Sequence, residues 1–238
     1  MNSNNLSKVL LAGWTTRNFS IKDLKRYLHK SNPELLEISK DFVNKNVSIK
    51  KTYKLLRDYK EKNDLEVSYA GTTDFDRCSE INFSKYLEYL SIQSNQAKFL
   101  DSNHFRVLIG GKPNSDSNIL RRLKEFEKLI SPMNILIEIH GGWESSIENL
   151  KKIIEKTNYD FVIDFQNLLK SDLSFEKLNE IINKDRIRYF HSRNLNKDYL
   201  EDEKTEIEKK KWINKYKGKM VLWEPKLIGK KKVKELIE

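Results

Sequence analysis

The 238-residue chain has little cysteine, proline, glycine or histidine: one, four, eight and four residues respectively. The lone Cys78 excludes an internal disulfide and any zinc site built from a cysteine cluster, and it suits a reducing compartment. No Pro-, Gly- or Ser-rich linker interrupts the chain, so one domain is expected over residues 1–238. No apolar run is long enough to span a bilayer, and the opening MNSNNLSKVLLAGW has an apolar stretch too short for a secretory signal. The sequence therefore reads as cytoplasmic, with no membrane partner. Neither a G-x-G-x-x-G turn nor a P-loop occurs, which removes the commonest phosphate cradles of open nucleotide-binding sheets.

Negative charge is outnumbered by positive. Lys and Arg number 45 against 35 Asp and Glu, a net charge of +10, with the excess concentrated in Lys209–Lys211, Lys215–Lys219 and Lys230–Lys234. Such segments attract phosphorylated ligands or nucleic acid. Here the basic residues alternate with Glu on expected helices and Lys far outnumbers Arg, so solvated helix faces are the preferred reading and nucleic acid is not an expected partner.

What the chain has in quantity is alternation. Hydrophobic residues make up 38% of it, enough for a sizeable core at this length. Short apolar runs at Lys8–Trp14, Leu35–Ser39, Leu65–Gly71, His104–Gly111, Met133–His140, Asp160–Phe165, Arg186–Asn194 and Lys219–Leu227 read as strands. Between them lie stretches with helical periodicity: Ser20–His29, Ser48–Tyr59, Phe83–Leu100, Ser115–Ile130, Glu144–Lys156, Ser174–Asn183, Asp198–Tyr216 and Lys231–Ile237. Eight strand–helix units predict an α/β protein with a parallel sheet, a single (β/α)8 TIM barrel, with an open doubly wound sheet as the alternative.

The chemistry is concentrated in the last four strands. In Met133–Gly142 (MNILIEIHGG) the period-two alternation of a strand puts Leu136, Glu138 and His140 on one face. A buried unpaired carboxylate costs several kcal/mol. Glu138 is therefore expected at the mouth of a pocket beside a cation or a hydrogen-bonding partner. The same offset recurs three times: Val162 then Asp164, Tyr189 then His191, Leu222 then Glu224. Each strand thus carries an inward apolar residue and, one layer higher, a metal-ligand type. In a barrel that layer is the catalytic face. Taken singly, each acid reads as a helix cap or an ion-pair partner, and the histidine as structural. Taken together they make an oxygen-rich site for Mn²⁺, Mg²⁺ or Co²⁺, with Zn²⁺ also compatible. His140, Arg193 and Lys226 share the inward parity and are candidate substrate contacts; Arg193 and Lys226 read equally well as partners of rim carboxylates. Trp14 and Trp143 at strand exits are read as packing residues.

These motifs resemble the xylose isomerase-like TIM barrels, the sugar phosphate isomerase/epimerase family. Glu138-Ile139-His140 resembles that family's strand-five Glu-x-His, Asp164 its strand-six Asp, His191-Ser192-Arg193-Asn194 its strand-seven His-x-Lys-Asp pattern, and Glu224 its strand-eight Glu. Phe105–Gly111 (FRVLIGG) is similar to its strand four. Two positions depart from the pattern: Asn167 stands where the family often has a second His, and Asn194 where it often has an Asp.

The resemblance implies a metal-dependent isomerase or epimerase of a sugar or sugar phosphate, with Glu138, Asp164, His191 and Glu224 as ligands. Glu138 and Glu224 would then be the acid/base pair of an enediolate mechanism, and Asn167 a hydrogen-bonding substrate contact. Two other readings accompany it: a phosphodiesterase resembling the AP endonuclease branch, against which the small number of histidines argues, and a non-catalytic carbohydrate- or protein-binding barrel, which the two asparagines favour. A homo-oligomer is compatible with all three.

Overall fold

A computed structural model describes residues 10–11, 19–40, 42, 49–71, 73, 75, 80–111, 118–169, 173–194 and 220–225; for 10–11, 31, 80–82, 166, 169, 175, 192–194 and 220–225 it describes the backbone alone. The expected helices Asp198–Tyr216 and Lys231–Ile237, and the residues Trp14 and Lys226, lie outside the described residues.

The described residues contain eight strands: β1 (Leu10–Leu11), β2 (Leu35–Ser39), β3 (Glu66–Ala70), β4 (His104–Leu108), β5 (Asn134–Ile139), β6 (Asp160–Asp164), β7 (Ile187–Asn194) and β8 (Met220–Pro225). They form one sheet in the order β1-β8-β7-β6-β5-β4-β3-β2, and every pairing is parallel. Seven α-helices connect them among the described residues: α1 (Ile21–Ser31), α2 (Ile49–Lys60), α3 (Glu80–Phe99), α4 (Ile119–Ile130), α5 (Ile147–Lys156), α6 (Phe165–Leu169) and α7 (Phe175–Ile181).

The sheet is strongly curled. Glu37 on β2 and His191 on β7 stand five places apart in the sheet order, which in a flat sheet would separate them by about 24 Å. Their side chains approach to 3.3 Å. β1 and β2, at the two ends of the order, are also in contact.

Period-two alternation gives the sheet two distinct faces. Leu36, Ile38, Val67, Tyr69, Phe105, Val107, Ile137, Phe161 and Ile163 join the large core under the helices, with Leu24, Leu28, Leu123, Phe126 and Leu150. The opposite phase supplies a separate inner cluster of Leu35, Leu136, Val162 and Tyr189. Two residues further along, the same inward phase gives Glu37, Glu138, Asp164 and His191, all buried. The interior is apolar at one level and charged at the next.

Six of the seven helices overlap the stretches whose periodicity predicts them; α6 is not among those expected and begins at Phe165, the expected end of strand six. Ser20 and Asp23 make a reciprocal capping box at the start of α1: Asp23 N–H donates to Ser20 Oγ at 3.2 Å and Ser20 N–H to Asp23 Oδ2 at 2.9 Å. Leu24 and Leu28, four residues apart, are fully buried. Several boundaries differ from the expected ones, and two of these lie beside one another at the ends of β4 and β5. Strand four stops at Leu108 rather than Gly111, because Gly110 and Gly111 both take φ of +76° and turn the chain out of the sheet. The helix expected from Glu144 begins at Ile147, after a 3-10 turn at Trp143–Ser145. There Glu144 folds back, and its Oε1 accepts the N–H groups of His140 and Gly142, each at 3.0 Å.

Among the described residues, no helix is long and apolar enough to cross a membrane.

Candidate metal centre

Adjacent strands bring the acidic residues and the histidine together. Asp164 of β6 pairs in register with His191 of β7, and Glu138 of β5 lies beside Val162 of β6. One ligand atom from each of Glu138, Asp164 and His191 lies within 4.8 Å of the others, and all three residues are buried. This is the grouping expected from the inward phase of strands five, six and seven.

Glu138 has the charged and hydrogen-bonding partners expected of it. It is 3% exposed, with Arg106 and His191 against its carboxylate. His191 Nδ1 is 3.2 Å from Glu138 Oε1, and Arg106 Nη1 donates to Glu138 Oε2. Arg106 Nε donates at 3.0 Å to Oε2 of Glu37, which also accepts the Tyr189 hydroxyl at 2.9 Å and faces His191 Nε2 at 3.3 Å. Ser68 Oγ lies 3.0 Å from that hydroxyl.

The electrostatics follow from this enclosure. Burial by itself would raise the Glu37 carboxyl, but Arg106 first and His191 next reverse this and lower it to about 2. The same two cations outweigh burial at Glu138 and hold it well below the usual carboxylate range. Burial pushes the His191 imidazole down, yet Glu138 and Glu37 more than compensate and hold it well above its ordinary value. Tyr189 is pushed up, by burial first and by Glu37 second.

A divalent cation suits this donor set. Two carboxylate oxygens and an imidazole nitrogen are ligands that hard and borderline cations accept. Among the described side chains, Arg106 contacts the carboxylates of Glu37 and Glu138, while Asp164 lies with Glu138 and His191. Glu224, the expected fourth ligand, lies on β8 opposite Arg193, two residues beyond the Leu222–His191 pair. The side chains of Glu224 and Arg193 are not among those described.

Of the expected substrate contacts, His140 follows β5 and is exposed at the rim. It lines a cavity of about 340 Å³ with Thr73, Leu108, four glycines and Glu144. Gly142 is required there: a Cβ would come within 2.7 Å of the Gly110 carbonyl oxygen and 2.8 Å of Glu144 Oε2. Asn167, the third residue of α6, donates its N–H to Asp164 Oδ1 at 3.0 Å, while its buried Nδ2 makes no hydrogen bond among the described residues. Trp143 is buried in the large core, a packing residue.

Glu37, Arg106 and Ser68 are site residues that the strand pattern does not single out, and Tyr189 is expected only as an inward apolar residue. Glu37 carried the signal used elsewhere, since Leu35 and then Glu37 repeats the offset of Leu136 and Glu138. The basic partner of the carboxylates is Arg106 on strand four, a residue that entered the analysis only as part of a resemblance.

No family model matches the chain, and no curated protein matches it. Solved structures do. The probable 3-DHS dehydratase AsbF of Bacillus anthracis, involved in petrobactin synthesis, superposes with a TM-score of 0.71 at 16% identity, covering 97% of this chain and 96% of that one. The IolI protein, solved with a bound zinc atom, gives 0.66 at 14% identity, with 92% and 88% covered. D-psicose 3-epimerase, solved in the presence of D-fructose, gives 0.66 at 10% identity, with 97% and 89% covered. The curled parallel sheet and its surrounding helices are thus the fold of the xylose isomerase-like sugar isomerases and epimerases, over nearly the whole chain.

Proposed function

We propose that the chain is a single-domain, closed (β/α)8 barrel that works as a divalent-metal-dependent isomerase or epimerase of a sugar or sugar phosphate. The observation that carries this reading is the convergence of Glu138, Asp164 and His191 within 4.8 Å at the charged level of the interior. The zinc in IolI and the D-fructose with the epimerase, on the same fold, support it. Glu224 is assigned as the fourth ligand from its place on β8.

Glu138, Asp164, His191 and Glu224 would hold a divalent ion, which would supply Lewis-acid polarisation of a substrate carbonyl. The remaining chemistry belongs to the chain. Glu138 and Glu224 flank the substrate carbon; one takes the proton beside the carbonyl to give an enediolate, and one returns it. Arg106 keeps Glu138 ionised, the form that accepts a proton, and at the same time lowers its basicity. His140 at the rim cavity, the Asn167 amide, Arg193 and Lys226 are assigned to substrate hydroxyls or phosphate. The Asn167 assignment is supported by the buried Nδ2 that lacks a protein partner among the described residues.

The test is a panel of ketoses, aldoses and their phosphates incubated in D₂O with the Mn²⁺- or Co²⁺-loaded protein. The expected result is interconversion with solvent deuterium incorporated next to the carbonyl. Glu224→Gln should lower turnover by at least about 10²-fold, as for loss of a general acid or base. Full activity in that variant would end the two-glutamate mechanism.

A second reading, a non-catalytic sugar-binding barrel, is favoured by one feature: Arg106 and Glu37 already supply Glu138 and His191 with charged partners. Saturable sugar binding with no turnover across the panel would select it.

A further inference from the structure

Glu37 lies outside the group of three candidate ligands, yet it touches the histidine. It is fully buried on β2, and its Oε2 sits 3.3 Å from His191 Nε2. The other ring nitrogen, Nδ1, faces Glu138 Oε1 at 3.2 Å. A histidine that ligates a cation uses the lone pair of one nitrogen and keeps a proton on the other. The acceptor offered to that proton decides which nitrogen is which and fixes the ring.

Glu37 is well placed to be that acceptor because it is itself held. Arg106 Nε and the Tyr189 hydroxyl both donate to the same oxygen, at 3.0 and 2.9 Å. The Tyr189 ring packs beside the imidazole, with centroids 5.6 Å apart. Arg106 also reaches Glu138, so one guanidinium spaces the acceptor behind the histidine from the carboxylate in front of it.

We propose that Glu37 is the positioning residue of the metal site: it accepts the His191 Nε2–H, fixes that tautomer, and turns Nδ1 toward Glu138 and Asp164 for the cation. This rests on the reading of Glu138, Asp164 and His191 as a metal site. A merely structural role, in which Glu37 only neutralises Arg106, would not determine which nitrogen ligates.

The experiment uses the full chain with ¹⁵N-labelled histidine and Zn²⁺ as the probe, reading the ring nitrogens by long-range ¹H–¹⁵N correlation and the affinity by titration. His191 is assigned by the resonances lost in His191→Asn. The expected result for the wild type is Zn²⁺ on Nδ1 and a proton on Nε2. Glu37→Gln should weaken Zn²⁺ binding about 10- to 100-fold, the usual loss for an outer-shell partner, and speed exchange of the Nε2 proton with water. Zn²⁺ on Nε2 in the wild type would overturn the proposal, and that reading does not depend on Glu37→Gln folding. An unchanged affinity in folded Glu37→Gln would overturn it as well, leaving the metal site intact. A wild type that takes up no Zn²⁺ would overturn the metal site itself and this proposal with it.

Discussion

Arg106 joins two carboxylates that would otherwise repel each other across the interior. It is 4% exposed and contacts both Glu37 and Glu138, which are 0% and 3% exposed. Breaking a buried ion pair by removing one partner costs about 3–5 kcal/mol, because the other charge is left desolvated and unmatched. Arg106→Leu is therefore expected to destabilise the protein by about that amount, measured by urea denaturation. A loss under about 1 kcal/mol, typical of an exposed pair, would show that the network adds little. At this scale the sequence was legible where a charge followed an apolar residue at the strand period, which is how Glu138, Asp164 and His191 were found. The partners were less legible. Whether an acid inside a strand is answered by a cation, a ligand or water depends on which strands face each other across the interior, and no local pattern holds that information. Glu37 meets His191 across more than 150 positions of sequence.

At the scale of elements, the βα loops set the geometry above the site. Trp143 N–H donates to the Gly110 carbonyl at 2.8 Å, so the loops after β4 and β5 are tied together where His140 emerges. Gly142→Ala would push a methyl to 2.7 Å from that carbonyl, a backbone atom with little room to retreat. A stability loss of about 1–3 kcal/mol is expected, as for overpacking, and thermal denaturation would register it. Stability equal to wild type would mean the two loops part easily. The strand–helix alternation and the buried faces of α1 and α4 were readable because each rests on periodicity: Leu24 with Leu28, and Ile119, Leu123, Phe126 and Ile130, are buried as expected. Element ends were not, since they turn on single contacts. Glu144 reads as a first-turn helical residue until its side chain is seen gripping the backbone of His140 and Gly142.

For the molecule as a whole, one parallel sheet carries an apolar layer and a charged layer on its inner face, with the large core under the helices outside. The curl brings β2, β4, β5, β6 and β7 to one point, and that convergence turns scattered acids into a site. The eightfold count of strands was legible from alternation alone. The curl was inferred from that count, and its direct sign is the approach of Glu37 to His191. The central claim is that the converging residues hold a cation. The most direct measurement is metal content and affinity of the folded wild type beside Glu138→Ala and His191→Ala, after dialysis against Mn²⁺, Co²⁺ and Zn²⁺. The account predicts about one ion per chain in the wild type and none retained in either variant, with circular dichroism showing that each is folded. A folded wild type that binds none of the three ions would contradict it.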